Sequence, residues 1–214
     1  MKLAIYGAGG LGREVLELAR QIQLAKPRWE DILFIDDIEP DRELKGVPVL
    51  TFSAAIKQNI EVAIAVGEPD VRARLAERVI SAGIALATLI HPAIKLSECA
   101  SVGAGSILCQ NAYVSCDTIL GINVFMQPYS SIGHDCRLDD HCVISPLVTM
   151  GGNCHIGQRV FVGMGATIRE RVSVGENSIV SMSAAVFNDL PADCIAVGNP
   201  ARIVRKNENK RVFK

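Results

Sequence analysis

A six-residue repeat runs through the chain without an insertion from Ile90 to about Pro191. Every sixth residue in this stretch is aliphatic, at seventeen consecutive positions. These positions are Ile90, Leu96, Val102, Leu108, Val114, Leu120, Met126, Ile132, Leu138, Ile144, Met150, Ile156, Val162, Ile168, Val174, Val180 and Val186. Helices repeat every 3.6 residues and strands every two, so neither explains the pattern, whereas the strand-and-corner unit of a parallel β-helix does.

The period also predicts how the repeats stack. Three units, or eighteen residues, close one triangular coil, and successive coils lie about 4.8 Å apart. Residues eighteen apart in sequence therefore lie one above the other. We expect the aliphatic residue and the mostly small residue four places later to point inward. Glycines that often follow the aliphatic residue, such as Gly121 and Gly151, are expected to ease the bend near the corner.

The first ninety residues have a different pattern, in which strands and helices alternate. The predicted strands are Leu3–Tyr6, Ile32–Ile35 and Val62–Val66, with a further segment at Gly46–Leu50. The first predicted helix ends at about Leu24, and two more helices are predicted near Ser53–Lys57 and at Val71–Ala82. This alternation predicts half of a Rossmann-like α/β fold. We expect a Rossmann-like domain at residues 1–89, a β-helix at 90–191 and a C-terminal extension at 192–214.

The loop after the first predicted strand is rich in glycine. Gly7, Gly9 and Gly12 allow the backbone to approach a phosphate at a helix N-terminus, and Asp36 and Asp37 end the second strand, where they can accept hydrogen bonds from a ribose or base. The loop also satisfies the dinucleotide pattern GxGxxG, which alone is weak evidence. Half a Rossmann fold followed by a β-helix favours a nucleotide-linked ligand over NAD. A purely structural docking domain is the remaining alternative.

Within the repeat, His134 and Asp135 occupy a corner, where side chains point outward. An exposed imidazole titrates near neutrality and can take a proton from a nucleophile, and the neighbouring carboxylate can orient it. Gly152 is eighteen residues further on, so its N–H lies one coil beyond His134 and can donate to an oxyanion. We identify no Ser or Cys beside His134 as a covalent nucleophile, because Cys136 is expected to point inward.

Composition restricts the class of protein. The net charge of −1 provides no electrostatic basis for binding nucleic acid or a membrane surface. The seven cysteines, an odd number without a CxxC pair, indicate reduced thiols and a cytoplasmic location. Cys136 and Cys154, eighteen apart, are expected to stack inside the prism. We expect no signal peptide and no membrane span.

Eight sequence segments together resemble one family of hexapeptide-repeat acyltransferases. The family contains sialic acid O-acetyltransferases (NeuD) and UDP-amino-sugar N-acetyltransferases (PglD). The matching segments, in the family's order, are YGAGGLGRE, FIDD, VGEPDVRARLAERV, LIHP, IGHDCRLDD, ISPLVTMGGN, GMGATI and VGNPARIV. The resemblance implies a left-handed β-helix, a homotrimer and acetyl-CoA bound between two prisms.

The resemblance also implies roles for individual residues. His134 would be the general base, Asp135 would support it, and the Gly152 amide would face the acetyl carbonyl. Residues along acetyl-CoA would be Gly152, Gly163, Met164, Gly165, Met182 and Ser183. Residues holding the nucleotide would be Gly9, Gly10, Leu11, Asp36 and Asp37.

Two positions depart from the family pattern. Leu11 stands where the family often has a histidine, and Val143 stands where a second histidine is common. His141, two positions before Val143, is a candidate replacement that starts from a different point on the coil. His155 is expected in a corner, where it either lines the pantetheine groove or, as we favour, faces solvent.

We therefore predict an acetyl-CoA-dependent acetyltransferase that acts directly on the amine of a nucleotide-linked amino sugar, in surface polysaccharide or glycan biosynthesis. O-acetylation of sialic acid or a related sugar is the alternative, followed by a non-catalytic scaffold that binds a sugar nucleotide. Zinc lyases with the same prism need three converging imidazoles. Because His134, His141 and His155 are separated by seven and fourteen residues, none stacks on another, and we predict no metal.

Overall fold

The computed structural model describes residues 1–213, and its N-terminal region is an α/β sheet. The strands are β1 Lys2–Tyr6, β2 Ile32–Ile35, β3 Arg42–Leu44, β4 Val47–Leu50 and β5 Ile60–Ile64, and the helices are α1 Gly10–Ala25, α2 Phe52–Ala55 and α3 Pro69–Ser81. The strand order is β3-β4-β2-β1-β5, with every pair parallel except β3 and β4. The predicted parallel α/β unit is confirmed.

The antiparallel hairpin of β3 and β4 was not predicted. Lys45 and Gly46 connect the two strands, and both have positive φ angles, of 56° and 76°. A two-residue turn with two positive φ angles matches the twist of a hairpin. Gly46 is the usual residue at the second of these positions, but lysine is unusual at the first, so the pair is not a common signal for this turn.

The second region is a three-faced prism built from two-residue strands, β6 to β21, with two longer strands, β22 and β23, at its end. Its strands are β6 Leu89–Ile90, β7 Ser101–Val102, β8 Ile107–Leu108, β9 Tyr113–Val114, β10 Ile119–Leu120, β11 Phe125–Met126, β12 Ser131–Ile132, β13 Arg137–Leu138, β14 Val143–Ile144, β15 Thr149–Met150, β16 His155–Ile156, β17 Phe161–Val162, β18 Thr167–Ile168, β19 Ser173–Val174, β20 Ile179–Val180, β21 Ala185–Val186, β22 Cys194–Val197 and β23 Arg202–Lys206. From β6 to β21, each strand pairs in parallel with the strand eighteen residues away, as Ile132 does with Val114 and Met150. The predicted stacking is confirmed.

Three sheets form the faces of the prism. The covered face contains β6, β8, β11, β14, β17, β20, β22 and β23; the open face contains β9, β12, β15, β18 and β21; and the lateral face contains β7, β10, β13, β16 and β19. Inside, every repeating aliphatic residue from Leu108 to Val186 is buried. Cys136 and Cys154 are buried as predicted, and the Cys154 N–H lies 3.4 Å from the Cys136 sulfur.

The corners correct one expectation. The left-handed residue lies three places after the aliphatic residue and is often Asn or Asp, for example Asn111 and Asp117 with φ near 60°. These side chains tolerate that conformation better than most. The glycine that directly follows the aliphatic residue does not make the bend. A Cβ on Gly121 would lie 2.9 Å from the backbone nitrogen of Asp140, so glycine is needed there for close stacking.

We name the three prism edges by their corner residues. The histidine edge contains 116–117, 134–135, 152–153 and 170–171, and lies between the open and lateral faces. The methionine edge contains 128–129, 146–147, 164–165 and 182–183, and lies between the covered and open faces. The covered edge contains 122–123, 140–141, 158–159 and 176–177.

The N-terminal region packs on the covered face. Outward side chains of that face, including Ile107, Phe125 and Val143, join the apolar core around β1 and α1. Arg72 of α3 is fully buried at the covered edge, where its guanidinium donates to the carbonyls of Ile64, Val66 and Asn123 and to the Asn123 side chain. These contacts join the N-terminal region to the prism.

Beyond Val186 the chain adds to the prism rather than leaving it. Strand β22 pairs with β20 in parallel, and β23 returns antiparallel to β22. We retain the division into residues 1–89, 90–191 and 192–214 as a proposal, and Lys214 lies outside the described residues. No helix within residues 1–213 is long and apolar enough to cross a membrane.

Candidate active site

His134 and Asp135 form a hydrogen-bonded pair at the histidine edge. The His134 Nδ1 lies 2.6 Å from Asp135 Oδ2, and both side chains are more than half exposed. Asp135 is the left-handed corner residue, with φ of 55°. An Nδ1–H that donates to the carboxylate leaves Nε2 unprotonated and open to a substrate. The pair has the arrangement that general base catalysis requires.

Gly152 lies directly against the imidazole. A Cβ built on Gly152 would lie 2.6 Å from the His134 Nε2, so only glycine leaves room for the ring. The Asn153 N–H donates to the His134 carbonyl at 2.8 Å, which holds the two coils in register. Among the described residues, the Gly152 N–H has no acceptor. It is therefore free to donate to an oxyanion beside the imidazole.

Cys116, which was not predicted from the sequence, occupies the same corner one coil before His134. The Asp135 N–H donates to the Cys116 carbonyl at 3.2 Å, and the thiol is exposed. The eighteen-residue spacing between Cys116 and His134 was the signal for this neighbour. Cys136 points inward as expected, where its thiol donates to the Gly151 carbonyl at 3.2 Å.

A cleft of about 790 Å³ lies between the glycine loop and the prism. It brings together residues predicted for the nucleotide, Gly10 and Leu11, with residues predicted for the coenzyme. Its lining residues are Gly10, Leu11, Glu14, Gly67, Gln127, Val143, Ser145, Pro146, Phe161, Gly163, Met164, Ile179, Ser181, Met182, Val212 and Phe213. The cleft therefore runs along the methionine edge.

The His134–Asp135 pair does not line this cleft. His134 and Gly152 belong to the histidine edge, whereas Met164 and Met182, together with Gly165 and Ser183 at the same corners, belong to the methionine edge. The open face separates the two edges. One six-residue unit crosses this face, and six residues of extended chain span up to about 20 Å. A single chain therefore does not unite the predicted base with most of the predicted coenzyme residues.

The glycine loop forms a free helix N-terminus. Gly7 has φ of +112°, and a Cβ on Gly12 would collide with the Gly7 carbonyl, so α1 packs tightly against the loop. Gly9 is the N-cap of α1 and has open space where a side chain would be. Within residues 1–213 no side chain caps α1, and its first turn has no acidic residue. The exposed N–H groups can therefore bind a phosphate.

Asp36 and Asp37 make hydrogen bonds within the chain. Asp36 accepts the N–H groups of Ile38 and Glu39 at 2.9 and 3.2 Å. Asp37 accepts the Phe52 N–H and the Tyr6 hydroxyl, both at 2.8 Å, and pairs with Arg78 at 2.6 Å. Their role toward a ribose or base stays a prediction.

The contacts of Asp37 also determine its charge. Partial burial alone would raise the pKa of Asp37, but the hydrogen bonds from Phe52 and Tyr6 and the ion pair with Arg78 hold this pKa below its ordinary value. The Tyr6–Asp37–Arg78 cluster joins residues that are far apart in sequence, so no local sequence signal predicts it.

The other histidines lie away from this corner. His141 is on the covered edge, where its Nδ1 lies 3.1 Å from the Asn123 amide nitrogen, and burial lowers the pKa of its imidazole. His155 lies on strand β16 rather than in a corner, and pairs with Asp139 at 2.9 Å while half exposed. Residues 1–213 contain no group of three side chains able to hold a metal ion.

Comparisons with known proteins agree with this architecture. A family model described as the PglD N-terminal domain matches residues 2–79. A GDP-perosamine N-acetyltransferase from Escherichia coli O157:H7 is 28% identical over 149 residues; the match covers 66% of this chain and 66% of that enzyme, slightly less than two thirds of its length.

Solved structures match nearly the whole chain. The acetyltransferase domain of PglB from Neisseria gonorrhoeae FA1090 is 31% identical with a TM-score of 0.88, and the match covers 95% of this chain and 99% of that chain. A perosamine N-acetyltransferase variant from Caulobacter crescentus, in complex with CoA and GDP-perosamine, is 27% identical with a TM-score of 0.89, covering 96% of this chain and 98% of that chain. Given its left-handed β-helix and these matches, the chain belongs to the PglD family of hexapeptide-repeat acetyltransferases.

Proposed function

We propose that the protein transfers an acetyl group from acetyl-CoA to the amine of a nucleotide-linked amino sugar, in surface polysaccharide or glycan biosynthesis. The observation that carries this proposal is the cleft in which the glycine loop and the methionine edge meet. The free N–H groups of α1 suit a diphosphate, and the long apolar methionine edge suits the pantetheine arm. GDP-perosamine is our first candidate acceptor, because two of the matching proteins are named for it.

The chemistry we propose is direct transfer. The acceptor nitrogen attacks the thioester carbonyl while His134 Nε2 takes a proton from that nitrogen. Asp135 holds the Nδ1–H and stabilises the imidazolium that forms, and the Gly152 N–H donates to the oxyanion. The carbon–sulfur bond then breaks, and the CoA thiolate leaves and takes up a proton.

We propose that the active enzyme is a homotrimer, because the site is incomplete in one chain. The histidine and methionine edges flank the same open face. A three-fold axis beside that face would bring the histidine edge of one protomer against the methionine edge of its neighbour. Exposed apolar side chains at the methionine edge support this arrangement: Tyr129, Leu147, Met164 and Met182 are each more than half exposed.

Each acetyl-CoA would then lie between two prisms. Its contacts would be Gly163, Met164, Gly165, Met182 and Ser183 of one protomer with Gly152 of its neighbour. The nucleotide would lie against Gly9, Gly10 and Leu11 of the first protomer, near Asp36 and Asp37. We also propose a cytoplasmic location, which fits seven free cysteines within residues 1–213 and the cytoplasmic supply of acetyl-CoA.

Thiol release from acetyl-CoA tests the activity. The acceptors would be GDP-, UDP- and dTDP-linked 4-amino-6-deoxy sugars, with free and CMP-linked sialic acids. We expect release with an amino sugar nucleotide and a product that survives mild alkali, since an amide resists it and an acetate ester does not. Release only with sialic acids would favour O-acetylation, whereas acetyl-CoA binding without any turnover would favour a scaffold.

Two histidine variants make the assay specific. His134→Ala should lower kcat by roughly 10²- to 10⁴-fold, the usual contribution of a general base. His155→Ala is the matched control, because its imidazole is about as exposed and also pairs with an aspartate, but lies on the lateral face. Equal activity in both variants would contradict the assignment of His134 as the base.

A further inference from the structure

Residues 207–213 form a strap that runs from the end of the prism to the N-terminal region. The strap begins at buried Asn207, whose side-chain amide donates to the Asn177 carbonyl at 2.7 Å. At its other end the Glu68 carboxylate accepts the N–H of Val212 at 2.9 Å and that of Phe213 at 3.1 Å. Hydrogen bonds to an ionised group are stronger than neutral ones, so Glu68 fixes the position of the strap.

The strap places an aromatic ring in the wall of the cleft. The Phe213 ring packs edge-to-face with Phe161, with centroids 5.6 Å apart and an interplanar angle of 84°. One of its carbons lies 3.5 Å from the point where a Cβ on Gly67 would be. The side chain nevertheless remains 55% exposed. The ring therefore has a packed side and a free side, and it lines the cleft.

The position of Phe213 in the sheet indicates which ligand it meets. Strand β5 lies between β1 on one side and Leu86, bridged to Val62, on the other. The chain leaves β1 toward β2 and leaves β5 in the opposite direction, so the sheet has its topological switch point between β1 and β5. Ligands of such sheets bind outside the carboxyl ends of the strands at that point. Gly67, beside which the Phe213 ring lies in the cleft wall, follows β5 there.

We propose that Phe213 is part of the acceptor-binding site and contacts the nucleobase of the nucleotide sugar, with Glu68 as a positioning residue that acts through the strap. This inference rests on the proposed function. The free N–H groups of α1 take the diphosphate, which leaves the aromatic ring beside them for the planar base. An aromatic ring stacks on any base, so Phe213 contributes affinity rather than a choice of nucleotide.

Phe213→Ala tests the contact. We expect the KM for the nucleotide sugar to rise about tenfold, in the range that loss of one base-stacking aromatic produces, with the KM for acetyl-CoA and the saturated kcat unchanged. Phe187→Ala is the matched control, since Phe187 is 43% exposed but lies outside the cleft. An unchanged acceptor KM in Phe213→Ala, or a rise in the acetyl-CoA KM instead, would overturn the proposal.

Glu68→Gln tests the positioning role. The amide keeps the shape of Glu68 but loses its charge, so the strap is held less firmly and the acceptor KM should rise less than in Phe213→Ala. In the Phe213→Ala background the same change should add nothing, because both residues act through one ring. Full additivity in this double-mutant cycle would show that Glu68 acts separately and would overturn its assignment.

A binding experiment separates this inference from the proposed reaction. GDP and UDP serve as probes, and their affinity is measured by calorimetry for the native protein and Phe213→Ala. Weaker binding by the variant supports the contact even when no amino sugar in the panel is acetylated. Equal affinity, or no binding of either probe to the native protein, overturns it.

Fluorescence of a Phe213→Trp variant tests the same contact. Bound nucleotide should quench the emission of the new indole, and the native protein, whose buried Trp29 is its one tryptophan, provides the background signal.

Discussion

Gly152→Ala is the most direct test of how the site is built. The added Cβ would lie 2.6 Å from the His134 Nε2, whereas ordinary contacts begin near 3.4 Å. The exposed imidazole must therefore move by about 1 Å, and a displacement of that size between reacting groups costs on the order of 10²-fold in rate. We expect kcat to fall by that factor in the thiol-release assay.

The same substitution should leave the fold intact. Gly152 has no left-handed backbone, and the atoms its Cβ meets belong to a side chain that can swing into solvent. Replacing glycine by alanine at such a position contributes about 0.4–1 kcal/mol of stability through the unfolded chain. Thermal unfolding should therefore show no loss of stability. Glu170→Ala, at the equivalent corner one coil further on, is the control and should keep native activity. A folded Gly152→Ala protein with native kcat would refute the proposed arrangement of His134 and Gly152.

A subunit-mixing experiment and three single variants test the other contacts. When the unfolded His134→Ala and Met164→Glu variants are mixed and refolded together, about a quarter of the sites should regain activity, because each site would draw its base and its coenzyme groove from different protomers. No recovery of activity would place the base and the groove in one chain. Asp135→Asn should reduce kcat less than His134→Ala in the same assay, since the imidazole still takes a proton and asparagine tolerates the left-handed corner; equal losses would mean that the carboxylate is essential. Cys116→Ala should retain activity and sequential kinetics, because direct transfer does not use the thiol. An inactive variant, together with an acetylated Cys116 in the native protein detected by mass spectrometry, would indicate a covalent intermediate. Arg72→Met should lower the free energy of unfolding in urea by about 3 kcal/mol, because buried carbonyls lose their donors; an unchanged value would show that Arg72 does not join the two regions.

Local repetition explains why so much of the prism was predictable. Each six-residue unit consists of a short strand with one inward aliphatic residue, followed by a corner, and three such units close one coil. The register of the strands and the residues of the core therefore follow from the spacing alone. The pairing of Ile132 with Val114 and Met150, the inward cysteines and the contact between His134 and Gly152 all depend on that spacing. The glycine loop and the alternation of strands and helices were similarly local signals.

The corners show where local reasoning was wrong. Glycine after the aliphatic residue suggested a backbone bend, but the bend occurs two residues later, at residues such as Asp117 and Asp135. Gly121 is required because the next coil leaves no room for a side chain. That restriction comes from a neighbour eighteen residues away and is not visible in the hexad itself.

The sequence by itself determined the β-helix, its register, the half Rossmann fold and the stacking of His134 on Gly152, because each depends on a short repeat or on adjacent elements. Only the tertiary structure decided which prism face the N-terminal region covers, since that depends on packing between distant side chains such as Arg72 and Asn123. The tertiary structure also places His134, the predicted base, one prism face away from the methionine edge. It places Phe213 in the wall of the cleft beside the glycine loop. A period describes how a coil meets the next coil, but it carries no information about what lies against the outside of the prism.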